Sequence, residues 1–67
     1  MAPIERMAMR IKAERRKRGW SQEELADKAG LSRTYLARLE TARQDPTLST
    51  LEKLAKALRV TVAKLLK

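Results

Sequence analysis

The chain has no cysteine, no histidine and no phenylalanine. Without cysteine there is no disulfide and no thiolate to hold a metal. Without histidine the commonest general base and the commonest metal ligand are both missing. Carboxylates are scarce, 8 Asp and Glu against 16 Lys and Arg, and each lies within reach of an arginine or lysine in sequence. No glycine-rich phosphate loop, Ser/His pairing or HExxH-type motif occurs. Catalytic residues, metal ligands, cofactors and a small-molecule ligand are therefore not expected. Two glycines and two prolines leave no material for linkers or low-complexity segments. The apolar runs are too short for a signal peptide or a membrane-spanning helix, so the chain reads as soluble and cytoplasmic, with no membrane partner.

What is present is charge and aliphatic side chains: 67 residues, 36% charged and 43% hydrophobic, with a formal net charge of +8. This length makes residues 1–67 one small domain. A single core of this size rarely contributes more than about 3–5 kcal/mol, so well-packed helices or self-association must help. The surplus of positive charge makes a polyanion the natural partner. Much of it lies in the first helix, in Arg6, Arg10, Lys12, Arg15, Arg16, Lys17 and Arg18, offset by Glu5 and Glu14. A charge run is ordinarily a solubilising face, and a basic helix resting on an anionic membrane is its rival. Against the membrane, Ile4, Met7, Met9 and Ile11 fill only the first half of that helix, and the stripe carries no Trp or Phe.

The most informative stretch is Ser21–Thr41. Ser21 followed by Glu24 is a capping box, which starts a helix at Gln22. Leu25, Ala26 and Ala29 recur at helical spacing and face inward, Gln22, Glu23, Asp27 and Lys28 stay in solvent, and Gly30 stops the helix. Ser32 then caps a second helix after a very short link, which forces the steep crossing of a helix-turn-helix. On a wheel of roughly 100° per residue, Leu36 and Leu39 point to one side, with Tyr35 and Glu40 at its edges. Arg33, Thr34, Ala37, Arg38 and Thr41 share the other. Two arginines, a threonine and a small central residue suit a DNA major groove. Arginine pairs bidentately with guanine, threonine bonds a base edge or touches a thymine methyl, and alanine lets the backbone approach. The plainer alternative is a solvated, charged helix face.

The rest of the chain supports these two helices. The first helix starts after Pro3 and ends near Gly19, with Ile4, Met7, Ala8 and Ile11 on its inner stripe. Trp20 precedes an N-cap, a position that favours a core plug over a base-stacking residue. The loop Thr41–Leu48 contains Pro46 and offers Arg43 and Gln44 as donors. Ser49 and Glu52 read as a second capping box, opening a fourth helix with Leu51, Leu54, Ala55 and Leu58 inside and Lys53, Lys56 and Arg59 outside. Thr61 caps a short fifth helix through Leu66. Its Val62, Leu65 and Leu66 are either a homodimer interface or the lid of the monomer's own core.

The run Ile11–Leu66 resembles the helix-turn-helix family of the lambda and 434 repressors and Cro, and the small controller proteins of restriction-modification systems. The residues that carry the resemblance are RIKAERRKRGWSQEELADKAGLSRTYLARLE, a proline-containing loop, and LSTLEKLAKALRV. It implies an all-α, five-helix lambda-repressor-like DNA-binding domain, with the helix-turn-helix at helices 2 and 3. It also implies that Arg33, Thr34 and Arg38 touch base edges, and that Gln22, Ser32 and Tyr35 bind phosphate. Gln22 would in addition brace the first recognition-helix side chain, which is Arg33 here and Gln in several relatives. Arg15 and Glu40 match an ion pair joining the first helix to the recognition helix. Family members often end the recognition helix with Glu-Arg-Gly or Glu-Asn-Gly, whereas this chain has Glu40, Thr41 and Ala42; glycine tolerates a positive φ there and alanine takes it only at a cost, so the loop that carries Arg43 and Gln44 is less firmly implied than the helices. The function so implied is that of a sequence-specific regulator of transcription, dimeric on double-stranded DNA and associated with the nucleoid. A helical protein-interaction module of antitoxin or scaffolding type is the alternative. It gives no reason to gather Gln22, Arg33, Arg38 and Arg43 around one face.

Overall fold

A computed structural model describes residues 3–67. Among them are five helices and no strand: α1 (Pro3–Lys17), α2 (Gln22–Ala29), α3 (Arg33–Glu40), α4 (Leu48–Leu58) and α5 (Val62–Leu66). Pro3 occupies the first turn of α1, where a missing N–H leaves no bond unmade. The reciprocal box at α2 is formed: Ser21 Oγ accepts from the Glu24 N–H at 3.1 Å, and Glu24 Oε1 accepts from the Ser21 N–H at 3.0 Å. Gly30, at φ 70°, takes the left-handed conformation that ends α2, and the Leu31 N–H reaches back to the Ala26 carbonyl at 2.8 Å. Ser32 caps α3 by accepting from the Tyr35 N–H at 3.0 Å.

The far end of α3 closes in the same way without a glycine. Ala42 sits at φ 59°, and the Arg43 N–H bonds the Arg38 carbonyl at 2.9 Å. A left-handed L-residue costs roughly 1–2 kcal/mol, so this turn holds strain.

The start of α4 differs from expectation. Its N-cap is Thr47, whose hydroxyl accepts from the Thr50 N–H at 3.1 Å, and the Ser49/Glu52 box is not formed. Capping at Thr47 adds helix ahead of Ser49, with the Leu51 N–H bonded to the Thr47 carbonyl at 3.0 Å. It also buries Thr50, whose Oγ1 accepts from the Thr47 hydroxyl at 3.1 Å. Thr61 caps α5 as expected.

Helix α1 packs on α3 and α5, α2 on α3 and α4, and α4 on α5. Ile11, Leu25, Leu36, Leu39, Leu54, Leu58 and Leu65 are the large side chains wholly enclosed between them. Leu65 is therefore withdrawn from the expected dimer face. At 0% exposure it is core, turned inward by a helix that packs on both α1 and α4, while Val62 is half-buried and Leu66 is 52% exposed. No helix among the described residues is long and apolar enough to cross a membrane.

Candidate nucleic-acid interface

The helix that presents the candidate site is fixed from behind. Leu36 and Leu39 anchor α3 in the core, and Glu40 in its last turn is held by three donors. Arg15 Nε donates to Glu40 Oε2 at 2.7 Å and Arg15 Nη2 to Glu40 Oε1 at 2.9 Å, the two-pronged geometry that a guanidinium favours. The third arginine nitrogen, Nη1, donates to the Trp20 carbonyl at 2.7 Å. This expected pair is enclosed, with 10% and 1% of the two side chains exposed. The carboxylate of Glu40 is the main reason that Arg15 binds its proton even more firmly than a free guanidinium, with burial opposing it. Gln22 Nε2 donates to Glu40 Oε1 at 3.1 Å, so α1, α2 and α3 meet at one carboxylate. Gln22 thus reaches the end of α3 and not Arg33 at its start. The bracing partner implied by the family resemblance is replaced because Glu40 supplies a buried acceptor that an arginine cannot.

On the opposite side of α3, Arg33, Thr34 and Arg38 are all exposed, with Ala37 half-buried between them. Among the described residues no carboxylate pairs with Arg33, Arg38 or Arg43. Thr41, grouped with these by the wheel, turns its hydroxyl back to the Ala37 and Arg38 carbonyls at 3.1 and 3.2 Å. Ser32 and Arg43 are exposed at the two ends of α3, and Gln44 is half-buried beyond it. Ser32 Oγ accepts the capping bond and keeps its own proton to donate outward. Tyr35 is half-buried and its hydroxyl donates to Thr50 Oγ1 over 3.4 Å, a long bond that can be exchanged for another acceptor while α4 stays packed on α2 and α5.

A second polar cluster escaped the sequence reading. Glu14 is buried, and Arg18 Nη1 donates to its Oε1 at 2.8 Å and to its carbonyl at 2.7 Å, while Arg18 Nη2 donates to the Leu58 carbonyl at 2.5 Å. Lys64 Nζ stands 3.8 Å from Glu14 Oε2. The hydrogen bond from Arg18 holds the Glu14 carboxyl below its ordinary range; burial opposes it, and Lys17 and Lys64 add to the lowering. The cluster ties α1 to the end of α4 and to α5. Its i, i+4 spacing was visible, but nothing in the sequence distinguished it from exposed charge.

Comparison with known proteins gives a consistent neighbourhood. A helix-turn-helix family model, HTH_3, matches residues 11–65. The chain is 51% identical over 57 residues to the immunity repressor protein of Bacillus phage phi105, covering 85% of this chain and 40% of the repressor. It is 45% identical over 60 residues to a hypothetical transcription factor of Neisseria meningitidis, covering 90% of this chain and 57% of the factor. The chain thus spans less than two thirds of the length of either relative. The crystal structure of the Neisseria factor superposes with a TM-score of 0.94 at 41% identity, covering 98% of this chain and 76% of that one. The crystal structure of SinR, the master regulator for biofilm formation, in complex with DNA superposes with a TM-score of 0.87 at 40% identity, covering 91% and 98% of the two chains.

Proposed function

This chain belongs to the helix-turn-helix family, and from that premise we propose that it is a sequence-specific regulator of transcription that binds double-stranded DNA. One observation carries the reading: Arg33, Thr34 and Arg38 are exposed and unpaired on one side of a helix whose other side is locked into the core. Helix α3 enters the major groove, where Arg33 and Arg38 pair with guanine edges and Thr34 bonds or touches a neighbouring base. Helix α2 lies across the backbone. Gln22, with one N–H committed to Glu40 and one left, donates to a phosphate, as do Ser32, Tyr35, Arg43 and Gln44. The free N–H groups at the starts of α2 and α3 add partial positive charge at the same place. The regulator works as a repressor or controller by occupying its operator, with no cofactor and no catalytic step, in the cytoplasm at the nucleoid. Residues 1–67 act as one domain, with 21–41 as its reading element.

Two copies on a palindrome, about 34 Å apart, are the arrangement that suits this fold. Val62 and Leu66 are the apolar contribution of α5 to a homodimer. Only monomer in a sedimentation-equilibrium run at high micromolar concentration would refute that contact. The reading as a whole is tested by selection from a randomised duplex library at two salt concentrations. Enrichment of a motif with half-sites one helical turn apart is the expected result. Binding that is unenriched and vanishes at moderate salt would leave only an electrostatic footprint, and the interaction-module alternative would then hold.

A further inference from the structure

The side of α1 that faces away from the core has no role in the DNA reading, yet its composition is distinctive. Met9 is 57% exposed at the centre of that side, one turn from exposed Ala13. Shallow grooves flank the pair. One, of about 260 Å³, is lined by Arg6, Met9, Arg10, Ala13 and Lys67; the other, of about 350 Å³, by Met9, Lys12, Ala13 and Arg16. An apolar ridge therefore runs between two rows of cations. The exposed carboxylate of α1, Glu5, lies at its N-terminal end; Glu14 is buried.

We propose that this face of α1 is a docking surface for an acidic amphipathic helix of another protein, one that packs its apolar stripe over Met9 and Ala13 and sets carboxylates against Arg10 on one side and Lys12 and Arg16 on the other. Charge complementarity and the small residue at position 13 argue for this occupant. A helix backbone approaches closely over alanine, and the flexible methionine fills irregular gaps in a partner surface. Duplex DNA would use the cations and gain nothing from a central methionine. A membrane favours a wider apolar face with Trp, Phe or Leu, and this one has a single large apolar side chain.

The test uses the whole chain, labelled with ¹⁵N, and a synthetic helical peptide with a leucine stripe flanked by glutamates. Its controls are the same residues scrambled, polyglutamate of equal charge, an unselected duplex and vesicles containing anionic lipid. Saturable binding of the designed peptide is expected, with amide shifts gathered around Met9, Lys12, Ala13 and Arg16 and weak binding of the scramble and polyglutamate. Met9→Glu, an exposed site where folding should survive, is expected to weaken the peptide about tenfold or more. Lys12→Gln with Arg16→Gln should weaken it comparably and flatten its salt dependence. The proposal is overturned if polyglutamate or the scramble binds as well as the designed peptide, or if shifts fall on α3. It is equally overturned if the duplex or the vesicles compete for the same residues with greater affinity, or if Met9→Glu binds like the parent.

Discussion

Truncating Glu40 should nearly unfold this domain, whereas replacing its whole ion pair should not. Glu40 accepts from Arg15 twice and from Gln22 once, with 1% of its side chain exposed. Glu40→Ala leaves the Arg15 guanidinium enclosed without its counter-charge, a loss of about 3–5 kcal/mol. A domain of this length has about 3–10 kcal/mol in total. With a urea slope near 1 kcal/mol/M, the midpoint by circular dichroism should fall by about 3 M or more, or the variant should be unfolded without denaturant. Arg15→Met combined with Glu40→Leu removes both charges together. It leaves the Trp20 carbonyl and the Gln22 amide short of a partner, at roughly 1 kcal/mol each, against a desolvation penalty that is no longer incurred. The double variant should therefore lie within about 2 kcal/mol of the parent, far above Glu40→Ala. If Glu40→Ala alone proves within about 1 kcal/mol of the parent, the buried pair is not what holds α3 to α1, and the argument fails.

Ala42→Gly relieves the left-handed turn after α3, so its thermal midpoint should rise by an amount equivalent to roughly 1 kcal/mol, less the extra freedom glycine gains when unfolded; a fall would contradict the strain. Glu14 has a folded pKa below its ordinary value of 4.5, so the stability it contributes is complete above that value and is lost as the pH falls through the folded pKa. Urea midpoints measured between about pH 5 and pH 3 should consequently drop less in Glu14→Gln than in the parent. Equal slopes would show that the Arg18 contact does not persist in solution. Arg38→Ala should relax base preference at one operator position by about 1–3 kcal/mol. Arg43→Ala should weaken all duplexes alike and lower the salt slope by about 1, as titrations of operator and random duplex would distinguish.

Much of this architecture was legible because it is written in local chemistry. The Ser21/Glu24 box, the glycine after α2 and the leucine spacing of α4 each follow from contacts within a few residues, whereas nothing in an alanine announces the left-handed turn that Ala42 keeps. The start of α4 was misplaced because Thr47 and Ser49 are both good caps. What decides between them is Thr50, whose hydroxyl is buried against Thr47 and Tyr35, a contact across to α3. Leu65 was ambiguous for a similar reason: a five-residue helix has too few positions to show which side is covered. The exposed side of α3 was readable from the wheel. That Gln22 ends on Glu40 was not, because an interaction between residues 22 and 40 depends on how two helices cross.

The single tryptophan has a practical corollary. Trp20 lies half-buried at the α1–α2 corner, with Lys28 Nζ 4.9 Å and Arg18 Cζ 5.9 Å from its ring centre, and its carbonyl is bound by Arg15. Intrinsic emission from this chain is therefore a local gauge, sensitive to the corner where three cations converge and linked to α5 only indirectly, through Arg18, Glu14 and Lys64. If an optical melt followed at the indole runs later than one followed by helix content, the carboxyl-terminal helix has peeled away first and the reading element is still assembled. The two curves, overlaid, would tell whether so short a chain melts as one unit or in two steps.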